Sequence, residues 1–139
     1  MVYSKNGKKS RLTGIVLMLA VLTLFVSCDK LKFTPDKNLI YGTWKTGETY
    51  YRFDNSEWNY TLADTTTVKV NGVRWNPSED VTEAEGQPFK WTLTEANLTI
   101  VHQQYMGGVV PKTYTVKSLT TTTMTWQDNY GNTTTLDKQ

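Results

Sequence analysis

Phe89-Lys90-Trp91-Thr92-Leu93-Thr94-Glu95-Ala96-Asn97-Leu98-Thr99-Ile100-Val101-His102 decides the fold. In an extended chain Phe89, Trp91 and Leu93 fall on one face, and Lys90 and Thr92 on the other. After the polar link Thr94–Asn97 the alternation resumes, with Leu98, Ile100 and His102 together. A period of two with one apolar face marks a strand that is buried on one side only. Two such runs joined by a short polar link read as an antiparallel hairpin.

The same period extends in both directions. Downstream, Lys112–Val116 aligns Tyr114 with Val116, and Thr122–Asp128 aligns Met124 with Trp126. A turn at Asn129–Asn132 leads into a last strand, Thr133–Asp137, and Met106-Gly107-Gly108 reads as a loop. Upstream, strands are expected at Leu39–Thr46 and Thr49–Phe53, then a turn at Asp54-Asn55-Ser56. Glu57–Ala63 follows, aligning Trp58, Tyr60 and Leu62, and then Thr66–Val70. Asn71-Gly72 reads as a tight turn or bulge before the short extended piece Val73–Trp75.

The segment Asn76–Gln87 interrupts this pattern, with Pro77, Gly86 and four carboxylates. A single helical turn is expected within Ser78–Thr82, with Asp80 and Glu83 spaced as a capping box. No amphipathic helix of ten residues is evident. The chain is therefore expected to be all-β, a small antiparallel meander of about eight strands. Closure into a barrel is favoured over a sandwich because an open meander leaves two unpaired edges.

The apolar series is Trp58, Tyr60, Leu62, Val68, Val70, Phe89, Trp91, Leu93, Leu98, Ile100, Tyr114, Val116, Met124, Trp126 and Leu136. An eight-stranded barrel is just wide enough for its own side chains or one small ligand. So many aromatics predict a mostly filled interior, which leaves room for at most a shallow apolar cup at the open end. Val101 and Val109-Val110 lie outside this series and are expected to anchor loops or line a rim.

At the other end of the chain, Lys5, Lys8, Lys9 and Arg11 precede a largely apolar run from Leu12 to Val26, then Ser27 and Cys28. A basic start, a short apolar stretch and a small residue before a cut have the layout of a secretory signal. Fifteen residues fall short of the roughly 17–25 that a membrane-spanning helix needs. The segment resembles bacterial lipoprotein signal peptides, whose lipobox ends in the cysteine that is acylated. The resemblance implies cleavage after residue 27, diacylation of Cys28 with palmitate-type chains, and attachment to a membrane of the cell envelope, with the outer membrane expected. Residues 28–38 then read as a tether and residues 39–139 as the barrel domain.

Without residues 1–27 the chain has eleven Lys and Arg against thirteen Asp and Glu, a net charge of −2. No basic cluster remains to bind nucleic acid. Cys28 is the only cysteine, so neither an intrachain disulfide nor a thiolate zinc site is available. His102 is the only histidine, and Ser56, Ser78 and Ser118 lie in no nucleophile elbow, so no catalytic residues, cofactor or metal ligands are assigned. His102 is expected at a strand end, hydrogen-bonded or solvated. Glu79, Asp80, Glu83 and Glu85 are best read as a solvated, capped turn. Weak calcium binding by this acidic loop is the alternative left open.

Gly42-Thr43-Trp44, after apolar Leu39-Ile40, resembles the G-x-W element of lipocalins and lipocalin-like domains, whose Trp plugs the closed end of the barrel. Phe89–Leu93 with Leu98–Ile100, and Tyr114–Thr120 leading into Met124–Asp128 and Gly131, extend the likeness. Together they resemble the small lipocalin-like lipoproteins common in Bacteroidetes, over residues 39–139. Many lipocalins pack a last-strand Arg on that Trp, and Lys138 is the nearest cation here. The resemblance implies a fold and an envelope setting but no ligand, because one fold hosts many functions. The function expected of the chain is that of a lipid-anchored envelope protein, not an enzyme, that binds a small apolar ligand or an envelope partner protein. The alternative is a structural or accessory component with a filled barrel.

Overall fold

The computed structural model describes residues 32–103 and 109–139. The segment read as a signal, Cys28 and the Met106–Gly108 loop lie outside the described residues. Eight strands run in chain order as an antiparallel meander: β1 Gly42–Thr46, β2 Thr49–Thr61, β3 Thr67–Trp75 and β4 Gln87–Thr94, then β5 Asn97–Gln103, β6 Val109–Leu119, β7 Thr123–Gln127 and β8 Thr133–Lys138. Each strand pairs with the next, and β1 pairs with β8 through Trp44–Lys138 and Lys45–Asp137, closing the barrel. Phe33–Gln139 forms one compact unit that contains every strand.

The opening hairpin has the expected register, with Phe89 opposite His102, Trp91 opposite Ile100 and Leu93 opposite Leu98. Directly opposed residues share a face, so one inward position fixes those across the ladder. The core comprises Ile40, Trp44, Phe53, Phe89, Trp91, Leu98, Ile100, Val116, Leu119, Met124, Trp126 and Leu136. Val116 and Leu119 would point to opposite faces of a regular strand. A bulge at Lys117, where Val116 faces Trp126 and Ser118 faces Thr125, lets both point inward.

Two expected breaks differ. Asp54-Asn55-Ser56 does not turn the chain: Phe53 faces Gly72 and Trp58 faces Val70, so residues 54–57 bulge out opposite Asn71 alone. Asp54 accepts from the Arg52 Nε at 3.1 Å and from the Trp58 indole at 3.2 Å, which holds the bulge shut. Asn71-Gly72 is also strand. Its glycine is required because an added Cβ would sit well inside contact of the Phe89 ring and 2.8 Å from the Arg52 carbonyl oxygen. Asn71 replaces the lost ladder, accepting from the Trp91 N–H at 2.7 Å and donating to the Trp91 carbonyl at 3.1 Å.

The bulge also redirects the outer half of the β2–β3 hairpin. Trp58, Tyr60, Leu62 and Val68, expected inside, are only half-buried and stand apart from the core. Trp58 and Tyr60 line an external groove with Val73, Pro88 and Gly86, and Glu57 pairs at 2.7 Å with Lys90 on the outer face of β4.

Residues 76–86 form two short 3-10 turns, Pro77–Glu79 capped by Asn76 and Glu83–Glu85 capped by Thr82. The capping box is therefore Thr82 with Glu85, not Asp80 with Glu83. Asp80 instead ends the first turn in the left-handed conformation (φ 57°).

Candidate ligand-binding site at the barrel mouth

The two ends of the barrel differ in chemistry. At one end Lys37–Leu39 forms a 3-10 turn capped by Asp36, and Pro35 and Ile40 are buried. Part of the stretch read as tether therefore belongs to this end of the barrel. The Trp44 indole N–H donates to the Ile40 carbonyl at 2.6 Å, in a buried position. Lys138 reaches back across 99 residues to donate to the Leu39 carbonyl at 3.0 Å, with its ammonium 5.0 Å from the Trp44 ring centroid. Gly42 makes room for this: it sits at φ +116°, and an added Cβ would meet the Lys138 Cε at 3.1 Å. Lys138 thus bridges the Leu39 carbonyl and the Trp44 ring, and this end is locked.

Toward the opposite end the inner face changes from apolar to polar. Gly72 faces both Phe53 and Phe89, so Arg74, two residues further along β3, also faces inward, opposite Tyr51 and Gln87. Lys112 lies opposite the core residue Ile100, and Tyr114 opposite Leu98. His102, opposite Phe89 and Val110, packs edge-on against the Phe89 ring at 5.7 Å between centroids. Trp126 forms the floor, stacked with Tyr114 at 4.7 Å and touched edge-on by Tyr51 at 5.5 Å.

Three electrostatic features mark this mouth. His102 is 6% exposed, and its Nδ1 has no hydrogen-bond partner among the described residues. Burial, with smaller contributions from the Lys112 and Arg74 charges, pushes its pKa down to about 4, so the imidazole is neutral near pH 7. Neither Arg74 nor Lys112 is among the ion pairs of the described residues. The nearest acid in sequence register, Asp128, is occupied. It accepts from the Asn132 side chain and from the backbone of Asn132 and Tyr130, which hold its carboxyl below the usual range. Tyr114 is shifted upward, first by burial and then by the neighbouring Tyr51 and Asp128.

The mouth also has a gap in its wall. β6 pairs with β5 from Val109, but with β7 only from Thr115 onward. A recess of about 370 Å³ opens beside that free edge, lined by Lys112, Tyr114, Asp128 and Tyr130 among others. Val109, Val110 and Tyr130 stand exposed around it, Tyr130 at 91%. Val109 and Val110 are exposed at the start of β6, and above the Trp126 floor the inner wall carries Arg74 and Lys112.

His102, expected at a strand end and hydrogen-bonded or solvated, does lie next to the end of β5, but it is buried and its Nδ1 has no partner among the described residues. Sequence reading missed Arg74 and Lys112. Carrying the parity of Val70 forward and of Tyr114 backward would have found both. The acidic loop does not converge: Glu83 pairs with Arg52 across the outer face, and Glu85 turns back onto Thr82. Among the described residues no group of three or more His, Cys, Asp and Glu is gathered as a metal-ligand set. Gly42 and Trp44 lie on β1, with Trp44 fully buried, and Cys28 is outside the described residues. No known family, curated protein or solved structure matches the chain.

Proposed function

We propose that this is a lipid-anchored lipoprotein of the bacterial cell envelope whose lipocalin-like barrel binds a small ligand, without catalysing a reaction. The observation that carries the binding reading is the contrast between the ends. One is locked by Trp44, Lys138 and the Leu39 carbonyl; the other, among the described residues, presents unpaired cations and an unpartnered buried nitrogen. Polar groups buried without partners cost stability, and binding sites are where such a cost is offset by a ligand. The anchoring reading rests on the basic start, the apolar run to Val26 and Ser27-Cys28.

A second reading has an observation in its favour. The interior below Trp126 is filled by Trp44, Phe53, Phe89 and Trp91, as expected of an accessory component that holds no ligand. Titrating the protein with fatty acids, sterols and haem-like molecules while following Trp fluorescence separates the two. A response that Trp126→Phe removes supports the mouth site, and silence across the panel favours the accessory reading. For the anchor, labelled palmitate should enter the wild-type protein and not Cys28→Ser. A Cys28→Ser protein of normal mature size that still fractionates with membranes would contradict lipidation.

A further inference from the structure

The ligand-binding reading leaves the ligand's chemistry open, and the mouth constrains it; the inference rests on that reading. Arg74, Lys112 and His102 come from β3, β6 and β5, and the register places all three on the inner face. Two cations on one concave surface repel each other, and neither is among the ion pairs of the described residues, although Asp128 lines the recess beside Lys112. Asp128 is committed to its own turn, Glu83 to Arg52 and Glu85 to Thr82. His102 lies deepest, only 6% exposed, with Nδ1 lacking a partner among the described residues. A neutral imidazole can present Nδ1–H as a donor, and an anion accepting from it would also neutralise the two cations.

The surroundings fix the rest of the molecule. Below the cations the barrel is filled, so a long chain has no room to descend. Outward, the free edge of β6 and the recess beside it carry Val109, Val110, Pro111 and Tyr130. Tyr114, stacked on Trp126, joins the polar floor to this apolar rim. An occupant with an acidic end and an apolar body therefore fits in one direction.

We propose that the mouth binds a monoanionic amphiphile of the carboxylate class, acid inward between Arg74, Lys112 and His102 and apolar body outward over the β6 rim. This orientation is opposite to that of an apolar cup, where the hydrocarbon would be innermost. The anion also changes His102: burial first, and then the Lys112 and Arg74 charges, keep it neutral, whereas a bound carboxylate offsets those charges and raises its affinity for a proton.

The test compares octanoate with 1-octanol, which has the same chain without the charge, on the Phe33–Gln139 unit by calorimetry. Octanoate should bind the wild type at least ~10-fold tighter than 1-octanol, the ratio expected of a charge-assisted hydrogen bond. Arg74→Gln and Lys112→Gln should each reduce that ratio toward unity, with the wild-type near-UV circular dichroism of each variant reporting that the barrel remains folded. Arg74→Lys should retain most of the preference. Octanoate should also move the His102 ring resonances toward a higher pKa in an NMR titration. Equal binding of octanoate and 1-octanol, or a preference that survives Arg74→Gln, overturns acid recognition while leaving the mouth as a binding site. Binding of neither overturns both this inference and the binding reading beneath it.

Discussion

Replacing Lys138 by Met removes the charge that locks the closed end while keeping most of the stem that crosses Gly42. Two interactions are lost: the 3.0 Å bond to the Leu39 carbonyl and the ammonium held 5.0 Å from the Trp44 ring centroid. A hydrogen bond involving a charged group contributes about 1.5–3 kcal/mol. A partly desolvated cation over Trp adds about 0.5–2 kcal/mol. The two share one ammonium and are not independent, so the expected loss is about 2–4 kcal/mol. That is a large part of the roughly 5–15 kcal/mol by which a domain of this size is stable. Urea unfolding of Phe33–Gln139, followed by Trp fluorescence, should show the midpoint falling by roughly 1–2 M at unchanged slope. Lys138→Arg should hold the wild-type midpoint more closely, since a guanidinium can both donate to the carbonyl and stack on the indole. A Lys138→Met stability within ~0.5 kcal/mol of wild type would refute the lock, because it would leave neither interaction measurable.

Gly72→Ala should cost about 1–3 kcal/mol or more, since the new methyl would overlap the Phe89 ring; adding Phe89→Leu should recover part of the lost melting temperature. Asn71→Ala strands the N–H and carbonyl of Trp91, so hydrogen exchange at the Trp91 amide should accelerate and stability fall by about 2–3 kcal/mol. The depressed pKa of His102 gives a pH dependence of known sign. The native imidazole stays neutral down to about pH 4, whereas the unfolded one takes up a proton below its ordinary 6.5, so stability falls as pH drops through that window. The loss should reach about 2 kcal/mol at pH 5 relative to pH 8. His102→Leu should flatten the profile between pH 5 and 6.5, above the range where the lowered carboxyls Glu57, Glu85 and Asp128 titrate.

Alternation made most of the barrel readable. Wherever a strand has one apolar face, as in Phe89–Leu93, Leu98–His102 and Met124–Trp126, both its register and its inward residues followed from the period of two. The period failed at bulges, because a bulge changes parity without a distinctive composition. Asp54-Asn55-Ser56 has the residues of a turn, yet Arg52 and the Trp58 indole hold Asp54 inside the strand. That misreading carried Trp58, Tyr60 and Leu62 into the expected core. Gly72 illustrates the converse, a turn-forming residue kept in a strand by the ring that passes over it. The mouth was hidden for another reason: Arg74 and Lys112 occupy inward positions but are charged, so a search for apolar alternation passed over them. Lys138 was noticed as the cation nearest to hand, and only the closed ladder between β1 and β8 brings it onto Trp44.

The central claim is that this barrel has one locked end and one binding end. Amide chemical-shift mapping of Phe33–Gln139 with octanoate tests it most directly. The account predicts saturable shifts at Tyr51, Arg74, His102, Lys112 and Tyr114, with the amides of Tyr41, Trp44 and Lys138 unmoved. Shifts centred on the Trp44–Lys138 end, or on the outer groove at Trp58 and Tyr60, would contradict it.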